Sequence, residues 1–202
     1  MRRLGLALLC WALLAPAAAA GERVIVAFGD SLTAGFGVAK QEAYPALLEA
    51  RLRARGFDYR VVNAGVSGDT SAGGLRRVDW ALRLGPDVVI VALGANDGLR
   101  GQNLAALRAN LAAIVGRIEA AGARVLLAGM RLPTNYGDYA RDFHAVFRGV
   151  AAERGVAFMP FLLEGVGGNP RLNLADGIHP TAEGYRLIVD RLWPHLEPLL
   201  RR

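Results

Sequence analysis

Five short runs of nearly unbroken apolar residues, at 24–28, 59–62, 87–93, 124–128 and a weaker 156–159, divide the chain into a repeating pattern. Runs without polar alternation are expected of strands covered on both faces, as in a parallel sheet. Between them the apolar residues change period. Leu104, Leu107, Leu111, Ile114, Val115 and Ile118 recur at helical spacing, as do Tyr139, Phe143, Val146, Phe147 and Val150. Tyr185, Ile188, Val189, Leu192 and Leu196 form a last helical set near the C-terminus. Strand followed by helix about five times, with right-handed crossovers, predicts a three-layer α/β/α sandwich around a mostly parallel five-stranded sheet.

The N-terminus reads differently. Arg2 and Arg3 precede an apolar stretch at 4–14, and Ala18, Ala19 and Ala20 supply a small-residue cleavage site, so residues 1–20 are expected to be a signal peptide. The apolar stretch is shorter than the roughly 20 residues that span a bilayer, which argues against a permanent anchor. Cys10 is the single cysteine and lies inside this segment behind Leu9, a poor context for lipidation. Residues 21–202 therefore contain no disulfide and no thiol, and with 53% hydrophobic residues in the chain they are expected to fold as one domain, periplasmic or secreted. Loss of Arg2 and Arg3 takes the formal charge from +6 to +4, and the remaining arginines are scattered, so nucleic-acid binding finds no support. Nothing demands more than a monomer.

In open α/β sheets, ligands bind beyond the carboxyl ends of the strands. Polar, glycine-rich segments follow three of the expected strands: Gly29-Asp30-Ser31-Leu32, Asn63-Ala64-Gly65-Val66-Ser67-Gly68 and Gly94-Ala95-Asn96-Asp97. Asp176-Gly177-Ile178-His179-Pro180 precedes the last helix. These four segments are expected to converge on one rim.

Beyond residue 20 the chain offers three serines, Ser31, Ser67 and Ser71, and three histidines, His144, His179 and His195. His144 falls inside a periodic helix and His195 follows Trp193 and Pro194, positions that suit packing or surface roles. His179 stands on a loop three residues after Asp176. That spacing lets the carboxylate accept from Nδ1–H and leaves Nε2 as a base, the arrangement general-base catalysis requires. Ser31 follows a strand directly, where unpaired backbone N–H groups gather, which suits a nucleophile and equally an N-cap or turn residue. Gly65 could offer an unobstructed N–H to an oxyanion or serve a positive-φ turn, and Asn96 could offer its amide or cap a loop.

Taken together, Gly29-Asp30-Ser31-Leu32, Gly65 in its Asn-Ala-Gly setting, Gly94-Ala95-Asn96-Asp97 and Asp176-Gly177-Ile178-His179-Pro180 resemble the ordered blocks of the SGNH (GDSL-type) hydrolases. The resemblance implies a flavodoxin-like sheet, with Ser31 as nucleophile, His179 as base and Asp176 as its orienter. It further implies an oxyanion hole from the Ser31 N–H, the Gly65 N–H and the Asn96 side chain. The stretches 67–71, 96–101 and 131–137 are similar to the bacterial acyl-CoA thioesterase I, lysophospholipase and arylesterase group, which acts on acyl thioesters, lysophospholipids and aryl or short-chain esters without cofactor or metal. Ala95 stands where relatives often carry glycine. No Gly-x-Ser-x-Gly elbow surrounds Ser31, which disfavours the α/β-hydrolase fold.

Three other readings compete. An exported carbohydrate acetylesterase of the same family keeps the machinery and changes the substrate. A phosphate-binding module of flavodoxin type lacks both G-x-G-x-x-G and G-x-x-x-x-G-K-[ST] after any strand. A metal site assembled from Asp69, Asp97, Asp176 and His179 matches no helix-borne histidine pair or calcium loop, and these groups are expected to cap loops or orient histidine. Tyr136, Leu99 and Leu132 fit either acyl-pocket walls or exposed loop packing.

Overall fold

A computed structural model describes residues 22–202; the expected signal segment lies outside the described residues. Strand β1 (Arg23–Gly29) leads through α1 (Ser31–Ala34) and α2 (Tyr44–Ala54) into β2 (Tyr59–Gly65). Then come α3 (Ser71–Leu82), β3 (Val88–Ala92), α4 (Ala95–Leu99), α5 (Leu104–Ala120) and β4 (Arg124–Ala128). The chain ends through α6 (Asp138–Arg154), β5 (Ala157–Met159) and α7 (Ala182–Leu196). Among the described residues no helix is long and apolar enough to cross a membrane.

Within the sheet of the described residues every strand pairing is parallel, and the strand order is β2-β1-β3-β4-β5. This is the doubly wound order in which the chain reverses direction across the sheet between β1 and β3, the switch point where such folds bind ligands. Every residue of β3 is buried, as is every residue of β1 after Arg23, which explains their unbroken apolar sequence. β2 is an edge strand, so Arg60 and Asn63 stand exposed in it. Helices α3, α5 and α6 pack in a row, while α2 pairs with α7; right-handed crossovers place these two groups on opposite faces.

The expected strands appear with shifted ends. The run at 124–128 coincides with β4, but β2 continues three residues past the expected 62, to Gly65. Pairing with β1, not apolarity, carries it there: Ala27 faces Asn63, Phe28 faces Ala64 and Gly29 faces Gly65. Gly29 also faces Ala92 of β3. The carboxyl ends of the three adjacent strands are thus level, and whatever follows each begins at one rim.

Candidate active site

Ser31 opens α1 directly beyond that rim. The N-cap is Asp30, not Ser31: its Oδ1 accepts from the Leu32 N–H at 3.0 Å. Freed from capping, the Ser31 hydroxyl lies 2.9 Å from His179 Nε2. As the first helical residue, Ser31 also has an N–H that no preceding turn can use.

His179 is held by a turn of its own making. Asp176 Oδ1 accepts from the backbone N–H groups of Ile178 at 2.9 Å and His179 at 3.0 Å, while its Oδ2 lies 2.7 Å from His179 Nδ1. The three-residue spacing closes the turn and the ring contact at once, with Gly177 supplying the required φ of +70°. The segment is tied back by Leu174 N–H to His179 O at 2.7 Å and Thr181 N–H to Leu172 O at 2.9 Å. Hydrogen bonds from the His179 N–H, its ring and the Ile178 N–H pull the Asp176 carboxyl down to about 2. It is therefore a carboxylate throughout the neutral range. The exposed Phe36 ring rests on the imidazole, with centroids 4.6 Å apart.

Gly65 has an ordinary φ, so its glycine is not explained by a left-handed turn. Close approach explains it instead. A Cβ there would meet Ala34 N at 2.2 Å and Thr33 C at 2.7 Å, so α1 passes against the end of β2 only because no side chain intervenes. The Gly65 N–H donates to Asn63 Oδ1 at 2.9 Å. Asn96 is no loop cap either. It lies in the first turn of α4, its Nδ2 donating to Asp69 O at 3.0 Å and its Oδ1 facing Arg100 Nη2 at 3.5 Å. One amide hydrogen remains uncommitted. Gly94 takes the positive φ of 111° that turns the chain into α4, so Ala95 in place of the expected glycine is unstrained.

The other histidines, and the buried Ser71, fall away from the chemistry. Ser71 is committed to Asp97, by Oγ to Oδ1 at 2.5 Å and N–H to Oδ2 at 2.8 Å. His144 Nδ1 pairs with Met130 O at 3.2 Å, and His195 lies in the last turn of α7. The Asp97 and Asp69 carboxylates are used in loop and helix-end contacts, as expected. Sequence reasoning did not single out Asp30 or Phe36. Asp30 could have been found, since an Asp between a strand and a glycine-poor helical start is a cap signal. Phe36 sits in a glycine-flanked loop with no pattern to mark it.

A serine, a histidine and a carboxylate in series at the switch point of a parallel sheet, outside any Gly-x-Ser-x-Gly elbow, define a serine hydrolase on a flavodoxin-like scaffold. Residues 27–187 match the GDSL-like lipase/acylhydrolase family, and the chain belongs to that family as a serine esterase. It is 45% identical over 193 residues to esterase TesA of Pseudomonas aeruginosa, an alignment covering 95% of this chain and 96% of the relative. It is 38% identical over 185 residues to thioesterase 1/protease 1/lysophospholipase L1 of Escherichia coli K12, covering 91% and 87% respectively. The crystal structure of TesA superposes with a TM-score of 0.86 at 46% identity, covering 88% of this chain and all of that one.

Proposed function

We propose that this protein is an exported esterase and thioesterase in which Ser31 is the nucleophile, His179 the general base and Asp176 the group that orients it. The continuous Ser31 Oγ, His179 Nε2, His179 Nδ1, Asp176 Oδ2 series, at 2.9 and 2.7 Å, carries the reading. Ser31 Oγ attacks the acyl carbon as its proton passes to Nε2; the imidazolium is stabilised by the adjacent carboxylate. The tetrahedral oxyanion is held by the Ser31 N–H, the Gly65 N–H as it leaves Asn63 Oδ1, and the free Asn96 amide hydrogen. Collapse expels the alcohol or thiol with the proton from His179, and water then repeats the sequence on the acyl-enzyme.

An apolar acyl group is favoured by the site's surroundings. Phe36 stands on His179, Ile178 precedes it, Val66 follows Gly65 and Leu99 lies three residues after Asn96; all four are exposed. Aryl and short-chain esters, acyl-CoA thioesters and lysophospholipids fit that rim better than an acetylated sugar. A signal segment at 1–20 supports delivery to the periplasm or beyond.

The test is a panel of p-nitrophenyl butyrate, an acyl-CoA, a lysophospholipid and acetylated xylan, with purified Ser31→Ala as blank. Turnover of the first three, lost in the variant, is expected, together with covalent labelling of the wild type by a fluorophosphonate. Undiminished turnover by Ser31→Ala would sink the assignment.

A further inference from the structure

Arg77 lies in the middle of α3, beside an exposed Arg76, yet its own guanidinium is turned inward across the ends of β1 and β2. Nη1 donates to Ala64 O at 2.8 Å, Nη2 to Gly29 O at 2.8 Å and Nε to Asp69 Oδ2 at 2.7 Å. Its Cζ stands 4.1 Å from the Phe28 ring centroid, and only 20% of the side chain is exposed. A planar fork with all three kinds of nitrogen engaged is a rigid fixture.

Each acceptor leads to a proposed oxyanion donor. The Ala64 carbonyl belongs to the same planar peptide as the Gly65 N–H, so a cation on that oxygen draws electron density across the amide and strengthens its donor. The Gly29 carbonyl also accepts from Val66 N–H at 3.0 Å, which pins the end of β2 against β1 on the far side of Gly65. Asp69, gripped at Oδ2 by Arg77 and at Oδ1 by Thr70 N–H at 3.1 Å, offers its main-chain oxygen to Asn96 Nδ2. Gly73 makes room for that carboxylate, since a Cβ there would meet Asp69 Oδ1 at 1.7 Å.

We propose that Arg77 is a positioning residue of the oxyanion hole: it polarises the Ala64–Gly65 peptide and, through Asp69, fixes the Asn96 amide. The inference rests on Gly65 and Asn96 being oxyanion donors. Arg77 touches neither substrate nor nucleophile; it sets the direction and strength of two groups that do. A lysine supplies one charge but not the fork, so it cannot hold all three acceptors.

The experiment compares wild type, Arg77→Met, Arg77→Lys, Asn96→Ala, the Arg77→Met/Asn96→Ala double variant and Ser31→Ala. Steady-state kinetics on p-nitrophenyl butyrate from pH 5 to 9 are read alongside thermal melts. Arg77→Met is expected to lose roughly 10- to 100-fold in kcat, less than outright removal of a donor, with KM within about threefold and an unmoved acid limb. Arg77→Lys should recover only part of that loss. The double variant should fall by clearly less than the product of the two single losses, because both act on one feature. Wild-type kcat in folded Arg77→Met or Arg77→Lys overturns the proposal. So do losses that multiply independently with Asn96→Ala, or that scale with melting temperature in both Arg77 variants. If Arg77→Met does not fold, Arg77→Lys decides by the same kcat criterion. Activity retained in Ser31→Ala refutes the site assignment itself, whereas an inactive Ser31→Ala beside an unaffected Arg77 series refutes only the role of Arg77.

Discussion

Burial without a partner decides the chemistry of Asp30. Its side chain is 0% exposed, Oδ1 is used by the Leu32 N–H, and Oδ2 has no hydrogen-bond partner. Desolvation raises its pKa from 3.8 to about 7, with the Leu32 N–H and the nearby His179 pulling the other way. A raised acid binds its proton more tightly folded than unfolded, so its favourable contribution is full below about 3.8 and is lost as pH rises toward 7. Asp30→Asn keeps an oxygen for the cap and abolishes the titration. Its melting temperature relative to wild type is therefore expected to climb between pH 4 and pH 8, by an amount equivalent to a few kcal/mol, because each tenfold difference in proton affinity between the folded and unfolded chain is worth ~1.4 kcal/mol. A difference that stays flat with pH would refute this. Asp176 behaves oppositely. With its pKa held at about 2, it stays charged through the acid range, so its contact with the imidazole persists there. At the oxyanion, Asn96→Ala should leave a folded enzyme with kcat lower by roughly 10²–10³, and steady-state kinetics with a melt as control will check it.

Elements meet at this site through missing side chains. The backbone of α1 crosses the end of β2 at Gly65, and the three atoms that an added Cβ would strike, Ala34 N, Ala34 Cα and Thr33 C, are all main chain. They cannot rotate away. Gly65→Ala must displace α1, which carries Ser31, and should cost roughly 1–3 kcal/mol of stability as overpacking does. It should also lower kcat more than KM, measured by denaturant unfolding and kinetics on the same preparation. The same scale shows what the sequence could reveal. The strands were legible because β1, β3 and β4 are buried on both faces and their composition records it. The carboxyl end of β2 was not, since Asn63-Ala64-Gly65 becomes strand by pairing with β1. Neither did α3 announce itself: Gly73 and Gly74 weaken helical propensity, and both are there for space, Gly74 because a Cβ would meet Leu93 Cδ1 at 2.3 Å. The candidate histidine and aspartate were legible from local turn chemistry, Asp-x-x-His, while Ser31, which local chemistry left open to a capping or turn role, was marked by the resemblance of the four blocks taken together. Of what supports them, the Asp30 cap is a local contact that the sequence could have revealed, whereas Arg77 was hidden because it acts across elements that only the fold brings together.

For the whole molecule, the distribution of exposed apolar side chains is the informative quantity. Scattered single hydrophobics on a surface need no explanation, but clustering does. Among the described residues five large hydrophobics are prominently exposed, and Trp80, on α3, is the one neither within three residues of a proposed catalytic or oxyanion residue nor in contact with one. The other four, Phe36, Val66, Leu99 and Ile178, lie on four different segments, those that follow β1, β2 and β3 and the loop before α7 that carries His179. Such a rim serves a substrate whose own apolar surface can cover it, at about 25 cal/mol per Å² removed from water. Replacing Ile178 by Ser leaves the Asp176 turn intact, because Ile178 enters that turn through its backbone N–H. The variant is accordingly expected to fold normally and to hydrolyse p-nitrophenyl acetate within about twofold of wild type. On p-nitrophenyl octanoate its kcat/KM should drop by roughly 5- to 20-fold, since one partly exposed aliphatic side chain contributes on the order of 1–2 kcal/mol to a long acyl chain and almost nothing to a methyl group. Equal losses on both esters would show that Ile178 shapes the catalytic turn and not the acyl site.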